Sequence, residues 1–246
     1  MVTFILSIIL LILGYVVYGK VVARIFGEDN NRLTPAVANP DGVDYVAMPW
    51  WKIFLIQFLN IAGLGPIFGA IMGVMFGPSA FLWIVFGSIF GGAVHDYLSG
   101  MLSLRRNGAS LPELVGEQLG TGVKQFMRAF SLLLMVLVGA VFVSGPAGLL
   151  SGMVQSISVT WWIIIIFLYY MLATLLPIDK LIGKIYPLFG FALLFMAVGI
   201  LVSLFINNAP IPEITLGLAS QHPQGFPIFP MMFVSIACGA VSGFHA

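Results

Sequence analysis

The chain has 246 residues, 60% of them hydrophobic and only 8% charged, with a mean hydropathy of +1.09. A soluble domain carries about 25% charged residues, so a soluble globular fold is excluded and an integral membrane protein is indicated. The formal net charge of +1 and the single cysteine, Cys238, argue against nucleic acid as a partner and exclude a disulfide framework.

A membrane-crossing helix needs about 20 mostly apolar residues. Six complete runs of that kind follow one another, at about 3–22, 53–76, 81–104, 130–152, 159–176 and 185–206, and a seventh starts near Pro227 and continues to Ala246. The first run lacks a basic leader segment, and Val2 to Val22 exceeds the roughly 7–15 residues of a signal-peptide core, so it reads as a retained span. Barrel strands of about 9–11 alternating residues do not fit these continuous runs. The expected fold is all-α, a polytopic membrane helix bundle in one transmembrane domain, 1–246.

The connections carry the charge. The first loop, from Arg24 to Lys52, is polar and rich in Pro, Asn and Asp. The segment 110–128 sets Leu111, Leu114 and Val115 against Glu113, Glu117 and Lys124. Ser110 with Glu113 forms a capping-box pattern and Pro112 suits a first turn. A short amphipathic helix on the membrane surface is expected there, a plain solvated connector being the alternative. Lys20, Arg24, Arg32 and Lys52 flank loop 1–2, Arg105, Arg106, Lys124 and Arg128 loop 3–4, and Lys180 and Lys184 loop 5–6. These are all ten Lys and Arg of the chain. The positive-inside rule makes that side cytoplasmic and puts the N-terminus outside. Trp50 with Trp51, and Trp161 with Trp162, fall at the two interfaces, where aromatic belts belong.

The second run reads "FLNIAGLGPIFGA" from Phe58 to Ala70. Proline inside a helix kinks or unwinds it, and unwound backbone at membrane depth is tolerated only against protein or a watery cavity. A break at Gly63–Pro66 is therefore expected to face the interior. "IAGLGPIFGA" (Ile61–Ala70) also aligns loosely with "IACGAVSGFHA" (Ile236–Ala246), five spans later and crossing the other way. Two discontinuous helices so related are the layout of a five-plus-five inverted repeat, with substrate between the breaks. Two unrelated kinked helices are the bland alternative. On the first reading Asn60, Gly63, Gly65 and Pro66 line a substrate site with Gly239 and Ser242, and the chain holds the first repeat and only the opening of a second.

The third run contains Asp96, the only acidic residue deep in an apolar stretch, with His95 beside it. Ser88, Gly92, Asp96, Ser99 and Ser103 recur at helical spacing and form one small, polar stripe. An intramembrane carboxylate is a functional candidate, most often in proton or cation coupling, and a structural carboxylate paired with backbone or with Arg105 or Arg106 is the alternative. His95 reads more readily as a satisfied interior ring. Ser144, Gly145 and Pro146 should kink the fourth span. No Lys or Arg lies within a span core, so an anionic substrate would have to be held by free amides at a helix N-terminus.

A secondary transporter is the leading class, with an intramembrane serine protease, or a channel or sensor, as alternatives. Ser242 and His245 on one helix are poor geometry for a protease. The His95–Asp96 pair is not a zinc spacing, and no metal or cofactor is implied.

"TPAVANPDGVDYVAMPWWKIF" (Thr34–Phe54), "IAGLGPIFGA", "GGAVHDYLSGMLSLRRNGASLPELV" (Gly91–Val115) and "IACGAVSGFHA" resemble the bacterial carbon starvation protein A (CstA) family. The resemblance implies an inner-membrane protein with a LeuT-like fold of the amino acid–polyamine–organocation (APC) type. It implies uptake of peptides or pyruvate, small carboxylate nutrients, during nutrient limitation, with a proton (or sodium) as coupling ion and no enzymatic cofactor. Members continue past the last motif into further spans, so a truncated transporter is expected. Gln57 and Gly69-Ala70 depart from residues common in that family.

Overall fold

The computed structural model describes residues 2–29, 31–42, 45–175, 186–214 and 217–240. Every regular element among the described residues is helical. Four helices are long and apolar enough to cross a membrane: α1 (Val2–Phe26), α5 (Ser79–Arg105), α7 (Thr121–Met153) and Pro187–Ile206 within α9 (Tyr186–Ile206). A bent pair, α3 (Trp50–Ile61) and α4 (Leu64–Val74), makes a fifth crossing if counted as one span. The short α2 (Pro35–Ala38) lies in the first loop. The fifth and seventh apolar runs fall on shorter helices, α8 (Val159–Thr174) and α10 (Phe233–Ala240).

The contacts divide the chain into two units, Met1–Gly108 with Leu188–Ala246, and Ala109–Pro187. In the first unit both ends of α1 are tied down. At its start the Thr3 amide donates to the Glu213 carboxylate at 2.9 Å, the Thr3 hydroxyl donates to the same oxygen, and the Ile214 amide donates back to that hydroxyl at 3.0 Å. These bonds occupy one of the N–H groups that every helix start leaves open, and Thr3 is buried. At its far end Gly27 takes φ +69°, the left-handed conformation that closes a helix most cheaply with glycine. The Arg105 guanidinium donates to the Phe26 and Gly27 carbonyls, each at 2.6 Å. The Arg32 side chain reaches the Arg105 carbonyl at 3.0 Å, and the Tyr45 hydroxyl reaches that of Asn107 at 2.6 Å. The first loop is thereby fastened to the end of α5.

The core of this unit is where α4, α5 and α10 meet. Phe76, Ala80, Met232 and Ile236 are buried together, with Trp83, Ile84, Ile228 and Phe233 packed around them. Gly77, at φ +81°, makes the turn into α5. The Gln221 amide donates to the Phe76 carbonyl at 3.3 Å, and the His222 ring lies against Phe76 and Phe226 at 4.8 and 4.7 Å between centroids. On another side α9 packs on α3, where a Cβ on Gly190 would stand 3.1 Å from Leu55 Cδ2.

In the second unit α6 (Leu111–Leu119) has the expected capping box: the Ser110 amide donates to Glu113 Oε2 at 3.0 Å and the Ser110 hydroxyl closes the reciprocal bond. The helix ends at Gly120, φ +88°, rather than near residue 128, and residues 121–128 instead open the 33-residue α7. Pro146 lies inside α7 without ending it, beside the fully buried Ala147. The Tyr170 hydroxyl of α8 donates to the Phe142 carbonyl of α7 at 3.3 Å.

Candidate functional site

The second span is interrupted. α3 ends at Ile61, Ala62 leaves helical geometry with ψ +34°, and Gly63 is extended at φ −70°, ψ −158°. The two half-helices are bent by 52°. The break, at Ala62–Gly63, overlaps the first residue of the expected "GLGP", and α4 starts at Leu64 with Pro66 in its first turn. A proline there removes an N–H that has no partner in the helix anyway. The amides of the residues just before it are the open donors of a helix start, where the dipole favours negative charge. Asn60, Gly63, Gly65 and Pro66 are all half-buried, with Asn60 in the last turn of α3 and the other three at the joint.

α10 packs along α4 and also touches α5. The closest approach is at Gly73, where a Cβ would stand 3.0 Å from Ile236 Cδ1 and Cγ1. Gly239 lies three residues further along α10, in helical backbone continuous with Ile236. The expected break at "CGAVSG" is not found over Cys238–Ala240, which are helical. Ser242 and the rest of that motif lie outside the described residues. The irregularity in this segment comes earlier: Phe229 is non-helical at φ −102°, ψ +130°.

On α5 the polar stripe faces inward as expected. Gly92 and Ser99 are buried, and Ser88, Asp96 and Ser103 half-buried, while Phe86, Phe90, Leu102 and Leu104 are exposed. His95 Nδ1 and Asp96 Oδ1 are 3.0 Å apart, with the carboxylate side chain 20% exposed. When Nδ1 carries the proton it donates to Asp96. The Ser99 hydroxyl donates to the Asp96 carbonyl at 3.1 Å. Asp96 and His95 stand one turn beyond a π-helical segment, Gly87–Gly92, and α10 touches that segment. The structure thus brings α4, α10 and the helix of Asp96 into one packed group, with the contact located at Gly73 and Phe76. Among the described residues no three His, Cys, Asp or Glu side chains gather as a metal site.

Sequence reasoning missed the Thr3–Glu213 and Tyr97–Glu28 pairs. Tyr97 donates to Glu28 at 2.6 Å across 69 residues of chain. Pairings so distant leave no local pattern. Gly27 after a basic turn was a readable helix stop.

The fold and site define a class: a multi-pass α-helical membrane protein with one discontinuous span beside an acid-bearing span. The chain matches the family described as Carbon starvation protein CstA over residues 1–151 and 146–246, and it belongs to that family. It is 44% identical to an uncharacterized membrane protein of Haemophilus influenzae, over 100% of this chain and 80% of that protein. It is 27% identical to the peptide transporter CstA of Escherichia coli, over 98% of this chain and 43% of the relative. It is also 27% identical to the pyruvate/proton symporter BtsT of Escherichia coli, over 98% and 42%. The chain thus spans less than half the length of these named transporters. The Haemophilus alignment runs over 297 positions, against 246 residues here, so that relative carries internal residues this chain lacks. No solved structure matches the chain. These named relatives are transporters.

Proposed function

We propose that this chain works in a secondary-active transporter of the bacterial inner membrane, taking up a small carboxylate nutrient, a short peptide or pyruvate, with proton coupling. The observation that carries the reading is the interrupted second span, its joint half-buried and its second half, α4, packed against α10. The substrate carboxylate would be met by the open amides at the start of α4, because no Lys or Arg lies in any span core and a helix start supplies partial positive charge in its place. Glycine at 63 and 65 leaves the backbone uncovered by any Cβ, so an anion can approach it. Gly239 of α10 and Ser242, which lies outside the described residues, would complete the site.

Asp96, with His95 hydrogen-bonded to it, is the group suited to carry the coupling proton. Sodium at break-region carbonyls is the competing choice. The broken second span and α10 belong, on this reading, to a LeuT-like inverted repeat, and the packing of α10 on α4 supports it. The carboxylate common to peptides and pyruvate matches the names of the relatives.

The test is uptake. Cells with the encoding gene intact or deleted are given labelled pyruvate or a labelled dipeptide, with and without a protonophore. Gene-dependent uptake of one of them that the protonophore abolishes is the expected result. Uptake of both unchanged by the deletion overturns the reading.

A further inference from the structure

The first span offers a second site, away from the broken helix. α1 adopts π geometry at Gly14–Tyr18 and α5 does so at Gly87–Gly92. Such segments are rare and are often found at functional places. Here the two meet. The Tyr18 and Phe90 rings stand edge to face at 5.0 Å, and a Cβ on Gly14 would come within 2.6 Å of Ile89 Cδ1. Beside this contact the helices part around a groove of about 870 Å³, apolar along Leu11, Gly14 and Val16 and polar at the end formed by Lys20, Glu28 and Tyr97.

Three features decide what fits. First, the lining residues Tyr15 and Val16 are 83% and 44% exposed on a helix of crossing length, which gives an occupant a route from the bilayer. Second, the depth matches one leaflet. Nine residues separate Leu11 from Lys20, roughly 14 Å of helix, about half of the roughly 30 Å hydrocarbon core. Third, the polar end carries both signs, an ammonium on Lys20 and a carboxylate on Glu28, the latter fixed by the Tyr97 hydroxyl at 2.6 Å.

We propose that this groove binds a phospholipid with a zwitterionic amino headgroup, such as phosphatidylethanolamine, from the leaflet at the Lys20 end. One acyl chain runs along Gly14 to Leu11, the phosphate meets Lys20, and the headgroup ammonium meets Glu28. Phosphatidylglycerol would still meet Lys20 with its phosphate but would offer Glu28 only neutral hydroxyls in place of an ammonium.

The experiment uses the full chain purified in detergent and relipidated with phosphatidylethanolamine, phosphatidylglycerol or an equal mixture. Retained lipid is counted by native mass spectrometry. Wild type should keep about one phosphatidylethanolamine per chain and prefer it to phosphatidylglycerol by about tenfold, the size of one charge-assisted hydrogen bond. Glu28→Gln should erase the preference while retaining lipid, and Lys20→Gln should reduce retention of both. Wild type alone is decisive if a variant fails to fold. Equal retention of the two lipids, preference for phosphatidylglycerol, or no retained lipid overturns the proposal.

Discussion

Gly73 and Ile236 lie against each other so closely that the glycine has no room for a methyl group: a Cβ there would stand 3.0 Å from two carbons of Ile236. This contact fastens α4, the second half of the broken span, to α10. Ile236 is 4% exposed and wedged among Phe76, Ala80 and Met232, so it cannot step aside freely. Gly73→Ala gains about 1 kcal/mol of helix propensity, against an overpacking cost of about 1–3 kcal/mol. The expected net loss is about 1 kcal/mol. Ile236→Val removes Cδ1 and should relieve it, so a double-mutant cycle by thermal unfolding in detergent should show a favourable coupling. Additive effects would mean the helices separate easily here.

The polar rim of α6 gives a pH prediction. Hydrogen bonds from the Ser110 amide, then from the Ser110 hydroxyl, hold the Glu113 carboxyl below its ordinary value. A carboxyl whose folded value is depressed stabilises the fold fully above its unfolded value of about 4.3. That contribution is lost as pH falls through the lower folded value. Amide exchange protection in Leu111–Leu119 should therefore hold at neutral pH and fall under acid, and Ser110→Ala should move the fall to higher pH. Protection that ignores pH between about 6 and 3 would show that the cap contributes nothing.

The spans were legible because apolar runs of crossing length have few other uses, and the break was legible because glycine and proline interrupt one of them. The break lies at Ala62–Gly63, the leading edge of Gly63–Pro66, with Pro66 in the first turn of α4. Gly120 was readable as a stop in principle, but the amphipathic pattern continues past it, and the pattern does not show that 121–128 belong to the next helix. The Thr3–Glu213 and Tyr97–Glu28 bonds, the π segments and the groove between them depend on how distant segments meet. The span count between the broken span and α10 is a property of this chain, since the Haemophilus relative carries additional internal residues.

The distribution of the ten Lys and Arg predicts an external N-terminus, with the loops 24–52 and 105–129 and the segment 177–184 cytoplasmic. A cysteine placed at position 108 on a Cys238→Ser background should resist a membrane-impermeant thiol reagent in intact cells and react after permeabilisation. Labelling in intact cells would invert the topology and exchange the two faces of the broken span.

Asp96→Asn keeps the size of the side chain and most of its hydrogen bonding but cannot change charge. If Asp96 carries the coupling proton, this variant should insert normally and lose accumulation driven by a pH gradient, while exchange of substrate down its own gradient persists. His95→Gln should have the smaller effect. Undiminished accumulation by Asp96→Asn would leave the carboxylate a structural role, holding His95.

The central claim is that the break in the second span faces the substrate, and Gly65→Ala tests it most directly. The change adds one methyl beside the open amides at the start of α4, while alanine suits the helix slightly better than glycine. Substrate affinity, from half-saturation of gene-dependent uptake, and thermal stability in detergent are measured on the same variant. Affinity should fall by about tenfold, near 1.4 kcal/mol, with stability unchanged or slightly raised. Normal affinity with unchanged stability would contradict the account and make the 52° bend a feature of helix packing alone.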